Sequence, residues 1–254
     1  MTKRTLLALT ILLALSFIEI HAGWYECYNF SGAIDKSPIT LSIQVREGYF
    51  GEKDKKDFNL IGVYKYDGNN APIRLEGKWN LSDNKVVLYE VAGKKRTAVF
   101  EFDFSEKESG GFWKNLSTHQ TLPLNLKYVS KLLDTAKEHE FTDVEILQTH
   151  SLKDFYFIGV YSKNKNQEYA DMKKLKIVRK RDNFLFQTLD FSKIETPTGN
   201  VMTIIFDNIE TENKSNNFVI SNKIGRMGGY LDVKYNLKKK RFVHNSKPIT
   251  EGPE

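Results

Sequence analysis

The chain has 254 residues, of which 28% are charged and 13% are aromatic, and its formal net charge is +6. This modest excess argues against nucleic-acid binding, which usually requires basic residues concentrated on one surface with aromatic residues among them. A single cysteine excludes an internal disulfide.

The first 22 residues have the order of a secretory signal peptide. Lys3 and Arg4 precede an uncharged, mostly apolar run that stops before Glu19, and a small residue, Ala22, closes the segment. An uncleaved membrane anchor is the alternative, but a spanning helix needs about 20 apolar residues. We therefore predict cleavage near residue 22, no membrane span afterwards, and a secreted or periplasmic location.

Cys27 lies just after the predicted cleavage point. A lipid-attachment site needs small residues before the cysteine, whereas residues 24–26 read Trp-Tyr-Glu, so there is no lipobox. An acidic neighbour also disfavours the thiolate form. We predict a soluble protein in which Cys27 is buried and serves packing.

Residues 23–129 are predicted to form a β meander domain, because apolar and polar residues alternate with a period of two. Ile39, Leu41 and Ile43 share one face of the first such strand, and Phe100 and Phe102 share one face of a later one. The predicted strands read SPITLSIQV, NLIGVYKY, PIRLEGKWNL, KVVLYEV, TAVFEFDF, GGFWKN and LPLNLKYV. No helix-length segment separates them, so neighbours should pair antiparallel, as a closed barrel or a curved sheet.

Three further segments complete the predicted organisation. Apolar residues at helical spacing predict a short helical connector at 130–140. Residues 141–245 are predicted to form a second β meander, and residues 246–254 are predicted to be a disordered tail. The fold class is therefore all-β, with antiparallel up-and-down meanders and one short connecting helix.

The tetrapeptide IGVY occurs at 61–64 and again at 158–161. Each copy is followed by a turn, further strand-like segments and a glycine-bearing segment in the same order. Internal duplication and coincidence are both compatible with this pattern. If the halves are duplicated, Gly62 and Gly159 occupy equivalent structural positions.

The sequence contains none of the motifs GxSxG, HExxH, CxxC or the glycine-rich phosphate loop. Glu101 and Asp103 have a spacing that resembles a glycosidase acid pair, but we predict them on an outer strand face without the apolar pocket that raises a carboxyl pKa. Four histidines outside the signal match no zinc spacing and are predicted in turns or on the surface: His119, His139, His150 and His244. No catalytic, cofactor-binding or metal-ligating residue is predicted, and no cofactor.

Two dense basic runs lie at 173–181 and 237–241. We predict that they belong to exposed or edge strands, where lysine discourages edge-to-edge association. Attraction of an anionic envelope component or an acidic partner is the alternative.

The first half resembles secreted bacterial β proteins of uncharacterised function. The resemblance covers about residues 30–128, and the matching residues are Gly32, Ile34, Pro38 to Leu41, Gly62, Tyr64, Tyr66, Ile73, Leu75, Gly77, Gly111 and Trp113. It implies a periplasmic or secreted β protein and supplies no activity or site residue. The meander order is also similar to avidin-like and lipocalin-like barrels, an analogy of fold alone.

Three functions from different classes remain open. The first is a non-enzymatic binding protein of inhibitor or immunity type, whose partner is a protein or an envelope component. The second is a small-ligand carrier that uses a barrel interior. The third is an enzyme of unrecognised type. The target and the oligomeric state are left open by the sequence.

Overall fold

The computed structural model describes residues 26–45, 59–93, 95–133, 139–165, 167, 170–194, 204–212, 215–224, 227–245 and 249–251. Every regular element among them is a β-strand. The strands are β1 (Glu26–Ile34), β2 (Ser37–Val45), β3 (Leu60–Tyr66), β4 (Ile73–Asn80), β5 (Lys85–Ala92), β6 (Lys95–Asp103), β7 (Glu108–Asn115), β8 (Thr121–Leu133), β9 (Phe141–Ser151), β10 (Phe155–Lys163), β11 (Asp171–Arg179), β12 (Leu185–Asp190), β13 (Ile209–Thr211), β14 (Phe218–Ile224), β15 (Met227–Asn236), β16 (Arg241–His244) and β17 (Ile249–Glu251). The described part holds no helix that is long and apolar enough to cross a membrane. The predicted signal peptide lies outside the described residues.

Strands β1 to β8 form a closed antiparallel barrel in sequence order, with β1 paired to both β2 and β8. The predicted alternation is confirmed. Ile39, Leu41 and Ile43 are buried in the core that fills the barrel, together with Phe100 and Phe102 of β6. The all-β, antiparallel prediction is therefore correct, and of its two forms the first half adopts the closed barrel.

The barrel core is rich in aromatic rings that contact one another. The rings of Trp79 and Phe104 lie 4.3 Å apart between centroids, and those of Tyr64 and Phe100 lie 4.9 Å apart in an edge arrangement. Such large side chains fill the interior of an eight-stranded barrel, which is only wide enough for side chains or one small ligand.

The predicted connector at 130–140 is wrong at its start, because residues 130–133 continue strand β8. The apolar spacing looked helical because Val129 is an extra residue in the β1–β8 pairing, where Asn29 faces Ser130 and Phe30 faces Tyr128. A bulge of this kind interrupts the period of two. Residues 134–138 lie outside the described part of the chain.

The second half contains two sheets, one in the order β12-β11-β10-β9 and one in the order β13-β14-β15-β16, with β17 also on β15. Their facing sides share one apolar core, in which the rings of Phe157 and Phe218 are 4.6 Å apart. The tail predicted as disordered contains β17, because β16 covers only residues 233–236 of β15 and leaves room beside residues 228–230. The IGVY copies lie in β3 of the barrel and β10 of the four-stranded sheet.

The barrel packs against the second half through apolar residues on its outer wall. Cys27, Ile61, Val63 and Leu132 belong to the second core and not to the barrel core. Polar contacts surround this patch: the Arg74 guanidinium lies 3.0 Å from Asp207, and Gln44 Oε1 accepts a hydrogen bond from the Ile205 main chain. The two halves therefore share a core.

Candidate functional site

The residues that the sequence singled out lie apart from one another. Cys27 is fully buried, as predicted, and burial raises the pKa of its thiol. Glu101 lies on the outer barrel wall and pairs with Lys85 at 3.3 Å, while Asp103 is exposed. His119, His139 and His150 are exposed, and His244 is half-buried against the ring of Phe191. In the described part of the chain, no three histidine, cysteine, aspartate or glutamate side chains are grouped to hold a metal ion.

One buried carboxylate lies in the barrel core. Glu90 accepts hydrogen bonds from the Tyr64 hydroxyl, from Trp113 Nε1 at 2.8 Å and from Thr97 Oγ1 at 2.9 Å. Burial, with the charge of Glu90 as a further cause, raises the pKa of Tyr64, so the phenol stays protonated and donates. Three donors around one carboxylate hold β3, β5, β6 and β7 in register. Because all three come from the barrel itself, we interpret this cluster as structural.

One cavity on the surface is a groove of about 680 Å³ between the outer barrel wall and strands β9 and β10. The barrel side carries the outward positions of β1, β2, β3 and β8, whereas the opposite side carries β9 residues and two β10 residues, Tyr156 and Ile158. We call this cavity the groove. It exists because the second half meets the barrel wall along the β9 edge of its four-stranded sheet.

Side chains of the barrel wall form a hydrogen-bonded row along the groove. Ser42 Oγ donates to Asn29 Oδ1 at 2.7 Å, and Asn29 Nδ2 donates to Ser130 Oγ at 3.0 Å. Thr40 Oγ1 donates to Asp67 at 3.1 Å. Asn29 and Ser42 are almost fully buried, whereas Thr40 and Ser130 are half-exposed, so the spare bonding capacity of these two hydroxyls suits the wall to a polar ligand.

Lys65 is a buried cation at the groove, with only 4% of its surface exposed. Its Nζ donates to Asp67 Oδ1 at 2.6 Å and to Asn70 Oδ1 at 2.8 Å, and lies 5.0 Å from the ring centre of Tyr156. Asn70 in turn donates to the Lys180 carbonyl. This cluster fastens the β3–β4 loop to the second half, and a buried charge with such partners is held in one place.

Tyr156 of strand β10 packs against the cluster formed by Lys65, Asp67 and Asn70. Burial, assisted by the charge of Asp67, raises the pKa of Tyr156 to about 12, so its hydroxyl remains a donor and bonds Asn183 Oδ1 at 2.7 Å. Asn183 also reaches the Asp67 carbonyl at 3.4 Å. The part of the groove that Tyr156 lines is therefore built from side chains of both halves.

Each carboxylate of the groove has a lysine partner. Asp67 pairs with Lys65, Asp143 lies 3.8 Å from Lys174, and Glu145 contacts Lys176. The groove is therefore close to electrically balanced. The basic run at 173–181 supplies two of these lysines, and its strand β11 lies inside the sheet rather than at an edge.

A second depression of about 700 Å³ crosses the barrel wall from β7 and β8 to β2. It shares Ser31 and Asp67 with the groove. Its outer wall carries small residues, among them Ala33 and Gly110. The two cavities are neighbours on one face of the molecule, and together they suit a long ligand better than a compact one.

The groove residues were missed at the level of sequence for two reasons. The outward residues of β2 read as an ordinary solvent face, although Ser42 and Gln44 are almost fully buried under the second half. Strand β9 was not recognised either, although Val144 and Ile146 alternate with polar neighbours over FTDVEILQTHS. That alternation was the available signal for one wall of the groove.

Neither the protein-family models nor the curated proteins searched match this chain.

Proposed function

We propose that this chain is an exported, non-enzymatic binding protein that holds its partner in the groove. The proposal rests on the position of the groove, which lies outside the barrel and not within it. Large apolar side chains occupy the interior positions of the barrel, whereas the cavity lined by hydrogen-bonding groups lies outside it. Export rests on the signal-peptide pattern of residues 1–22.

The small-ligand carrier receives less support from this arrangement. A carrier needs an interior with small side chains near its mouth, whereas Leu122, Leu124 and Leu126 of β8 face the same core as Phe100 and Phe102. A partner bound at the outer wall requires no such space.

The groove has the composition of a recognition site. Hydroxyl and amide groups line its barrel side, Tyr156 lines it from the second half, and the lining bulge residue Val129 remains 60% exposed. Phe184, which is 56% exposed, directly follows the lining residue Asn183. Exposed apolar and aromatic side chains around a polar cavity are typical anchors for a macromolecular partner.

The test is capture of a partner from envelope extract by the immobilised chain without residues 1–22. We compare the parent with Val129→Arg, which places a long charged side chain at the groove, and with Leu81→Arg. Leu81 is the matched control, since it is 72% exposed and lies in the β4–β5 turn. Captured proteins are identified by mass spectrometry, and their affinity is then measured with purified components.

We expect the parent and Leu81→Arg to capture the same partner with equal affinity, and Val129→Arg to lose most of it. Equal capture by all three proteins would place binding elsewhere on the surface and refute the proposal. Native mass spectrometry of freshly purified protein tests the alternative function, because a retained small molecule would favour the small-ligand carrier.

A further inference from the structure

Among the strands that the structure describes, none pairs with the second edge of β9. It is the end strand in the order β12-β11-β10-β9, and it lies close to β13 and to barrel strands β2, β3 and β8. The groove runs beside this edge, with β9 residues on one side and the barrel wall on the other. Whether a ligand in the groove can form hydrogen bonds with β9 therefore depends on the direction in which the N–H and C=O groups of β9 point.

The directions of the β9 main-chain groups can be derived from the hydrogen bonds that β10 makes with its two neighbouring strands. Asp154, just before β10, accepts a hydrogen bond from Lys180 N on the β11 side, and Phe155 accepts one from Leu152 N on the β9 side. Main-chain groups of successive strand residues point to opposite edges, and the pairing of β10 with β11 stays in register from residue 155 to 160. Odd-numbered residues of β10 over this range therefore face β9, and even-numbered ones face β11.

Gly159 accordingly exchanges hydrogen bonds with Ile146, its partner in the register. Glu145 and Leu147, on either side of Ile146, lie opposite residues whose main-chain groups point to β11. The N–H and C=O groups of Glu145 and Leu147 must then point away from β10. Both residues line the groove, Glu145 exposed and Leu147 almost fully buried, and no hydrogen bond between described residues joins their main chain to the barrel.

A neighbouring residue of β9 already shows how this strand accepts a further backbone. Thr149 is not paired with β10, and its N–H donates to the carbonyl of Phe206 at 2.8 Å. The chain's own segment around Phe206 thus covers β9 at Thr149, and no described segment is hydrogen-bonded in the same way to the main chain of Glu145 or Leu147.

The charge balance narrows the class of ligand. Because every carboxylate of the groove is paired with a lysine, the site does not favour a strongly anionic or cationic polymer. An extended peptide backbone is uncharged and presents donors and acceptors along both edges. One edge would meet Glu145 and Leu147, and the other would meet the half-exposed hydroxyls of Thr40 and Ser130 on the barrel wall.

We infer that the groove binds an extended peptide segment of a partner protein as an added strand on the β9 edge at Glu145–Leu147. This inference rests on the proposed function and names the class of its partner. The partner's backbone provides the hydrogen bonds, and side chains at alternate positions reach the outer face of the sheet and its lysine pairs.

The experiment uses random linear 12-residue peptides displayed on phage and selected against the chain without its first 22 residues. The most enriched peptide is synthesised, together with a series carrying one N-methyl amino acid at each position. N-methylation removes a single backbone donor. We expect alternating positions to lose affinity by roughly tenfold or more, and the intervening positions to change little. We also expect the bound peptide to slow deuterium exchange at residues 145–147.

Two protein variants test the same contact. Glu145→Pro deletes an N–H that β10 does not use, whereas Glu145→Ala removes the side chain and keeps the N–H. Loss of peptide binding in the first and retention in the second supports the inference, with circular dichroism to verify folding. Should the proline variant not fold, the N-methyl series alone decides the question.

Peptides that bind without the alternating pattern, or that protect residues away from β9, would overturn the inference. So would a selection that enriches no peptide above the level found with Val129→Arg. Neither outcome affects the capture experiment with envelope extract, which tests the proposed function separately.

Discussion

Gly110 and Gly111 are adjacent residues of β7, yet only Gly111 lies where a side chain would collide with the backbone. A Cβ at Gly111 would be 2.0 Å from the Glu101 carbonyl oxygen and 2.7 Å from Phe102 Cα. A Cβ at Gly110 would meet nothing within 4 Å. We therefore expect Gly111→Ala to force β6 and β7 apart and Gly110→Ala to be tolerated.

The expected magnitudes differ clearly. Backbone atoms of a closed barrel cannot rotate away as a side chain can, so we expect Gly111→Ala to lower the free energy of unfolding by about 3 kcal/mol, at the upper end of ordinary overpacking. Gly110→Ala should stay within about 0.5 kcal/mol of the parent. Urea denaturation followed by tryptophan fluorescence measures both, with Trp113 as a nearby probe. Equal unfolding midpoints for the two variants would refute the β6–β7 register.

Three more predictions concern buried groups. Glu90→Leu leaves the indole N–H of Trp113 without an acceptor, and we expect a loss of about 3 kcal/mol in urea denaturation, with Glu90→Gln clearly milder. Cys27 should react with an aromatic disulfide reagent only after unfolding, because burial raises the pKa of its thiol; rapid reaction of the native protein would contradict its position. Val63→Asn buries an amide in the core shared by the two halves, and we expect it to cost about 3 kcal/mol, whereas Val87→Asn on a half-exposed part of the barrel wall should cost under about 1 kcal/mol. Similar losses for the two valines would argue against the shared core.

The barrel was predictable because its strands have one apolar and one polar face. Ile73, Leu75 and Trp79 alternate with charged residues, and each charged residue is on the outer wall. Strand β1 was harder to recognise. Cys27 and Asn29 are outward residues that the second half buries, so β1 carries buried residues on both faces and lacks a clean alternation. A covered outer wall removes the signal on which strand prediction depends.

The groove was not predictable from the sequence, because it arises where two distant parts of the chain meet. The row joins Asn29 and Ser42 of the consecutive strands β1 and β2 to Ser130 of β8, which lies 101 residues after Asn29, and nothing in the local pattern of β8 brings it beside β1. The local sequence around Lys65 does not show that this lysine is buried, and only the tertiary fold does. The duplication suggested by the two IGVY segments stays a prediction.

The arrangement of sheet edges explains why the fold tolerates an open strand beside the groove. Unpaired edges promote association between copies of a protein, and closure removes them from the barrel altogether. In the second half, Gln187 of edge strand β12 bonds both the N–H and the C=O of Phe242 on β16, at 2.8 and 2.9 Å, so a side chain covers two edges at once. Edge strand β13 is only three residues long.

Strand β9, with eleven residues, is the long exception in the described part of the chain. In the described part of the chain, Glu145 and Leu147 face the barrel wall across the groove, which leaves less room for the sheet of a second copy than for a single extended segment. An edge shielded in this way admits a peptide and discourages aggregation.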